Sequence, residues 1–395
     1  MSSTQCCRLM GVCILALAFL VPLLGCPAEE PPAKSPAPPV AVEAEEPEAE
    51  PAAEPAAEAE EAPAAEPMAE AEEEPAAEPA AEPAAELPKV PLGLPPVPVP
   101  EDNPITPEKV ALGKMLFFDT RLSKDGTVSC ATCHDPKTAW TEPHATSTGI
   151  GGQVGGANSP TVINAAYGTT QFWDGRAASL EEQALGPIEN PIEMGHTMDA
   201  MIGDLSQIPE YQEAFQKVFG TGVTQEGIAK AIASFERLVL SGNSPYDKFE
   251  GGHGQRDALN EAQKRGMALF EDVGCSTCHA PPVFSNYRFY NAGVGMDKDP
   301  PPEGRKAVTG EEGDLGKFRV PMLREVANTG PYFHDGSAAT LEEAVALMAG
   351  GGKDNPNLSG MLKALRGAEL TGENQKDLVE FLKALSGEFP GKDDL

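Results

Sequence analysis

Two five-residue strings, Cys130-Ala-Thr-Cys133-His134 and Cys275-Ser-Thr-Cys278-His279, constrain this 395-residue chain more than any other feature. In Cys-x-x-Cys-His each thiol can form a thioether with a vinyl group of one haem, and the adjacent histidine is then held under the iron as an axial ligand. Two strings imply two covalently bound haems c. Zinc ribbons pair their Cys-x-x-Cys units at short separations, whereas Cys130 and Cys275 lie 145 residues apart and each string has its own histidine.

The cysteine count points the same way. Of eight cysteines, four belong to the strings and the rest are Cys6, Cys7, Cys13 and Cys26. Arg8 precedes the apolar run Leu9 to Leu24, so residues 1–25 read as a signal peptide. Leu23-Leu24-Gly25-Cys26 is similar to a bacterial lipobox, in which Cys26 is lipidated. An ordinary signal peptide cleaved elsewhere and an uncleaved anchor helix are the alternatives. The lipoprotein reading uses every cysteine and places the protein in the periplasm, lipid-anchored to a bacterial membrane.

Residues 26–100 form a different physical regime. Repeats of Glu-Pro-Ala-Ala without aromatic residues cannot bury enough apolar surface to offset chain ordering, so the sequence predicts a disordered acidic tether. Its reach lies between roughly 50 Å as a coil and roughly 200 Å as extended polyproline. Residues 27–100 carry 19 acids and 2 lysines, and the chain as a whole has a net charge of −32. The part from Glu101 onward is therefore acidic too, at −16. That balance argues against nucleic-acid binding and leaves acidic patches for a basic redox partner.

From Glu101 the composition becomes globular. Thr106-Pro107 predicts a capped helix start; Ser179 to Glu182, Asn260 to Gln263 and Thr340 to Glu343 read as capping boxes or near variants. Ile228, Ile232, Phe235 and Val239 fall on one helical face. Long loops rich in Gly, Pro and Asn separate these helices, and no alternating strand run stands out. The expected fold is all-α: two cytochrome c-like haem domains, at 101–255 and 256–395, divided where Ser-Gly-Asn-Ser-Pro and Gly-Gly-His-Gly interrupt the pattern.

Residues 105–390 resemble the bacterial di-haem cytochrome c peroxidases and their relative MauG. The resemblance is carried by both haem strings, Leu122 to Gly126, Asn158-Ser-Pro-Thr161, Phe172-Trp173-Asp-Gly-Arg176, Glu181-Glu-Gln183, Pro191-Ile-Glu193-Met194-Gly195 and Thr329-Gly-Pro331-Tyr-Phe-His334-Asp-Gly336. It implies that the amino-terminal haem reacts with peroxide and that the carboxy-terminal haem stores an electron. Glu193 then matches the acid–base glutamate, which carries a proton between the two peroxide oxygens, and Gln183 a glutamine that hydrogen-bonds the peroxide. Trp173 matches an inter-haem tryptophan, while Trp140 has no match and reads as structural. Asn158, with the carbonyls of Thr329 and Pro331, matches a calcium site, although Asn158 alone reads equally well as an Asx turn.

Met348 lies fourteen residues after His334, where the peroxidases place a methionine ligand and MauG a tyrosine. A thioether ligand raises the reduction potential, which suits an electron store at His279; Met322 and Met361 are weaker candidates. The position of the family's distal histidine, eight residues before the calcium asparagine, is Ile150 here. Isoleucine cannot ligate iron, so an open amino-terminal site is expected, with His144 in the same loop as the competing ligand. His196 and His253 show no ligand pattern.

The resemblance thus implies an enzyme that reduces hydrogen peroxide to water with electrons from a small cytochrome c or cupredoxin. It carries two haems c and one calcium ion, and is compatible with a homodimer. The alternatives are a MauG-like oxidase of a protein substrate and a non-enzymatic di-haem electron carrier or sensor.

Overall fold

The computed structural model of the protein describes residues 88–251, 255–368, 370–391 and 394. The signal segment, Cys26, the tether up to residue 87 and His253 lie outside the described residues.

Helices begin where the caps predict. Thr106 accepts a hydrogen bond from the Lys109 amide at 3.3 Å and opens α1 (Pro107–Phe117). The haem-string turn α2 (Cys130–Cys133) follows, then α3 (Leu180–Glu189), capped by Ser179, then α4 (Met198–Leu205), α5 (Pro209–Phe219) and α6 (Gln225–Glu236). Ile228, Ile232, Phe235 and Val239 are all fully buried, although Val239 lies just beyond the end of α6. A short α7 (Pro245–Glu250) leads to the second half, made of α8 (Glu261–Asp272), α9 (Lys306–Thr309), α10 (Leu341–Ala349), α11 (Gly360–Leu365) and α12 (Gly372–Lys383). Among the described residues the one sheet is an antiparallel pair of two-residue strands, β1 (Phe289–Tyr290) and β2 (Phe318–Arg319). The chain is therefore mostly helical, with long connecting loops.

The second half repeats the first. In each, a leading helix packs across a closing helix at a glycine: a Cβ on Gly113 of α1 would collide with the Ala231 carbonyl and press on Phe235 of α6, and one on Gly266 of α8 would collide with the Asp377 carbonyl and press on Phe381 of α12. Only glycine permits so close a backbone approach. Each half has its own aromatic core beside this crossing, Phe117, Trp140 and Phe235 in the first and Phe270, Phe284 and Phe381 in the second. Trp140 is fully buried there and donates to the Pro390 carbonyl at 2.7 Å, a packing role. The turns preceding α3 and α10 also repeat: Phe172 and Phe333 both take positive φ, as do Gly175 and Gly336.

Residues 88–100 differ from the sequence expectation that placed them in the tether. Leu94 and Val97 pack against Tyr167 and Leu240 of the first half and Val283 and Tyr287 of the second. Leu92 and Asn243 exchange two hydrogen bonds, at 3.0 and 2.9 Å, and the Tyr167 hydroxyl donates to the Pro95 carbonyl at 2.8 Å. The reason is local composition. From Val90 to Pro100 the acids stop and Leu and Val alternate with prolines, which leaves apolar surface to bury and little backbone entropy to lose. The segment is a strap across the seam between the halves.

Candidate functional site

The first haem string sits on a helical turn, α2, that brings the Cys130 and Cys133 thiols to one side. The His134 amide bonds back to the Cys130 carbonyl at 3.0 Å. His134 Nδ1 faces the Trp140 carbonyl at 3.3 Å. A carbonyl only accepts, so Nδ1 carries the proton and Nε2 keeps its lone pair for a metal. The second string copies this: the His279 amide reaches the Cys275 carbonyl at 2.9 Å and Nδ1 reaches the Phe284 carbonyl at 3.0 Å. Burial lowers the pKa of both imidazoles, that of His279 to about 4, which keeps them neutral as ligation requires.

Burial also pushes the thiols up, Cys130 to about 12 and Cys133 and Cys275 to about 11. A thiol-redox motif works through the opposite, a stabilised thiolate. Among the described residues no group of three or more His, Cys, Asp or Glu side chains is placed to hold a metal ion. The donor chemistry fits haem c attachment at both strings.

Glu193 lies on the loop after α3. Asn190 Nδ2 donates to its Oε1 at 2.7 Å, and its carbonyl accepts from the Ile150 amide at 2.9 Å. Burial raises its pKa, opposed by the positive charge of Arg176 and the Asn190 hydrogen bond. Arg176 is itself stacked on Phe172, 3.4 Å from the ring centroid. The Glu193 carboxylate raises the Cys133 pKa in turn, which places it on the haem-string side of the loop. Gln183 is half-buried on α3, the helix that leads into this loop.

Ile150 packs where a Cβ on Gly195 would otherwise go and joins the first hydrophobic core. The glycine-rich loop that carries it lies against residues 191–195, with Gln153 Nε2 donating to the Pro191 carbonyl at 3.1 Å. His144 is exposed, and its carbonyl accepts from Asn158 Nδ2 at 3.0 Å. His196 is buried, with Nε2 3.4 Å from the Asp204 carboxylate.

A cavity of about 500 Å³ occupies the second half, within the usual range of ligand pockets. Cys275, Cys278 and His279 line it, and so do Met348 at the end of α10, Met322 and Met361. Met322 follows Pro321, whose carbonyl approaches the His279 ring, which puts Met322 on the histidine side. Trp173, from the first half, reaches the same cavity wall. Its Nε1 donates to the Asn158 carbonyl at 2.8 Å, and its own carbonyl accepts from the Arg319 amide at 2.8 Å. Asn158, Thr329 and Pro331 also line this cavity. Asn158 is buried; its amide nitrogen is committed to His144, and its Oδ1 accepts no hydrogen bond among the described residues.

Two residues stand at these sites without having been singled out from sequence. Arg319 lines the second cavity and donates from Nε to the Phe172 carbonyl at 3.1 Å. Glu236 is buried at the end of α6, and its charge bears on Cys130. The signal that could have found both was the internal repeat, which aligns Phe235-Glu236 with Phe381-Leu382 and Pro160 with Pro321.

Comparison with known proteins agrees with this geometry. Residues 107–255 match the family model described as di-haem cytochrome c peroxidase, and residues 263–386 match that of cytochrome c. The cytochrome c551 peroxidase of Nitrosomonas europaea is 41% identical over 299 residues, covering 74% of this chain and 85% of that protein. The methylamine utilization protein MauG of Methylorubrum extorquens is 39% identical over 295 residues, covering 74% and 82%. Among solved structures, a MauG-like protein associated with microbial copper homeostasis superposes with a TM-score of 0.68 at 32% identity, covering 77% of this chain and 96% of that one. Two cytochrome c-type domains of this family imply two haems c, one on each Cys-x-x-Cys-His string. With both strings, both histidine anchors and both matched regions in one chain, the protein belongs to the di-haem cytochrome c peroxidase family, to which MauG is related.

Proposed function

We propose that the protein reduces hydrogen peroxide to water at the haem of His134, with two electrons and two protons per peroxide. The electrons come from a small cytochrome c or cupredoxin through the haem of His279. Bound haem supplies iron that gains and loses single electrons; the side chains supply the rest. The observation that carries this reading is the unlike equipment of the two halves, a half-buried carboxyl with raised pKa at one and a thioether in the cavity of the other.

Glu193 moves a proton from one peroxide oxygen to the other, and Gln183 orients the peroxide by hydrogen bonding. Trp173 stands on the route between the halves. Met348, in the wall of the cavity with His279, would hold the second haem through its thioether, a ligand that raises the reduction potential. The Asn158 Oδ1 and the Thr329 and Pro331 carbonyls are neutral oxygen donors on one wall, the donor type calcium takes, with water completing a shell of six to eight. The haem domains are assigned to residues 101–255 and 256–395. The chain is held at a periplasmic membrane face by lipid on Cys26.

Near-infrared magnetic circular dichroism of the resting protein should show a His/Met haem that is lost in Met348→Ala. A signal that persists in the variant would reject Met348 and reopen Met361.

Ile150 bears on activation. It supplies no ligand and is packed on Gly195, and His144 is exposed, which supports an open first haem. Fully oxidised enzyme should then turn over without a lag that depends on prior reduction. A low-spin bis-histidine electron resonance signal in the resting state would contradict this. An open first haem is equally what a MauG-like oxidase of a protein substrate would have; the thioether of Met348 favours the peroxidase.

A further inference from the structure

Among the buried carboxyls of the first half that have no part in the chemistry above, Glu142 accepts from the Ser147 and Ser159 hydroxyls and Glu236 stands apart. Glu236, the last residue of α6, is 6% exposed, and its Oε2 has no hydrogen-bond partner among the described residues. Interiors rarely keep an unpaired buried oxygen, and a redox or catalytic role is one reason they do.

Its position relative to the haem follows from the repeat. Gly113 against Ala231 and Phe235 in the first half corresponds to Gly266 against Asp377 and Phe381 in the second. Glu236, next after Phe235, therefore corresponds to Leu382, next after Phe381. Leu382 lines the cavity that contains His279 and Cys275. Independently, the Glu236 carboxylate is close enough to Cys130 to raise that thiol's pKa. Both observations put Glu236 beside the haem attached through Cys130, at a place where the other haem has a leucine.

The charged groups around Glu236 leave it uncompensated. Arg237, the next residue after α6, attracts it, but its Nη1 and Nη2 bond Glu181 of α3 at 2.7 and 3.0 Å and its Nε, also buried without a hydrogen-bond partner, makes no bond to Glu236. Glu181 itself repels Glu236. From α2 the facing group is Cys130. Burial accordingly raises the Glu236 pKa to about 8.

We infer that Glu236 is a redox-linked proton site of the first haem: when that haem takes one electron from the donor protein, Glu236 takes one proton from solvent, and it returns the proton when the electron leaves. The electrostatics fix the sign. Ferric haem carries one more positive charge than ferrous haem and favours the carboxylate; reduction removes that charge and favours the carboxylic acid. The midpoint potential of the first haem should therefore fall as pH rises through the range in which Glu236 ionises. The inference rests on the presence of two haems and not on peroxide turnover.

The test is a spectroelectrochemical titration of the full-length protein carrying both haems, without peroxide, from pH 6 to pH 10. The potential of the first haem should fall with pH, and in Glu236→Gln that slope should flatten while the pH dependence of the second haem stays the same. An unchanged slope for the first haem in Glu236→Gln overturns the inference. A second measurement keeps Glu236 in place: infrared difference spectra on reduction, taken in Glu193→Gln and separately in Glu142→Gln, so that neither the half-buried Glu193 nor the buried Glu142 of this half can account for the band. They should show a protonated-carboxyl band that grows on reduction and shifts in heavy water; its absence also overturns the inference.

Discussion

Glu193→Gln should lower peroxide turnover by about 100-fold or more, the usual contribution of a positioned acid–base group. Glutamine keeps the size and can still meet Asn190, whose Nδ2 lies 2.7 Å from Oε1, but it carries no proton between oxygens. The pH profile makes the test specific. Burial raises the Glu193 pKa, so its carboxylate form is lost as pH falls through a value above the ordinary glutamate range of about 4.3. If the carboxylate is the form that accepts the first proton, kcat/KM should decline on its acid side at a higher pH than a solvent-exposed glutamate would give. Glu193→Gln should remove that limb while leaving both haem spectra intact. A variant with wild-type turnover, or one that is slow but keeps the same acid limb, would take Glu193 out of the proton transfer.

The haem strings were readable because covalent attachment and ligation need contiguous residues, and the local geometry then follows from one helical turn and one carbonyl for each imidazole. The helix starts at Thr106, Asn260 and Thr340 were readable for the same reason, since a cap acts within three residues. Partners brought together from far along the chain were not. Nothing near Asn158 announces that its amide meets the His334 carbonyl at 2.8 Å. Glu236 hides next to Phe235 on an otherwise apolar helix face, and only the second half, where the corresponding Leu382 lines the cavity of Cys275 and His279, draws attention to this position. The strap at 88–100 differs from the sequence expectation because proline content dominates its composition, while Leu94 and Val97, which fasten it, become meaningful only beside Tyr167 and Tyr287.

Asp247→Ala should destabilise the protein by about 3–5 kcal/mol, the cost of leaving a buried charge unpaired. Arg324 is fully buried at the seam, where Nη1 and Nη2 each donate to one oxygen of Asp247 at 2.8 Å. Its remaining bonds go to the Pro282 carbonyl at 2.7 Å and the Gly93 carbonyl at 2.9 Å. Asp247 also accepts from the Ser244 amide and hydroxyl, closing the cap of α7. One carboxylate thus fixes the strap, the start of α7 and the second half together. Without it, Arg324 keeps a full charge in a fully buried place with two neutral carbonyls as its remaining partners. Gly93 has φ of +89°, and a Cβ there would collide with the Asp247 carboxylate, so strap and carboxylate are in direct contact and the variant leaves a gap where they met. For a domain of this size the melting temperature should fall by on the order of 10 °C, read on the haem-loaded protein by calorimetry. Replacing both partners by apolar residues, Asp247→Leu with Arg324→Met, should recover part of the loss, because it removes the stranded charge along with the pair. A single variant that melts within a degree or two of the wild type would show that water reaches Arg324. The strap would then be a surface attachment, and the relative placement of Trp173 and the second half would rest on the other bonds across the seam, those of Arg319 to Phe172 and Trp173, of Arg305 to the Asp174 and Gly175 carbonyls and of Asn158 to His334.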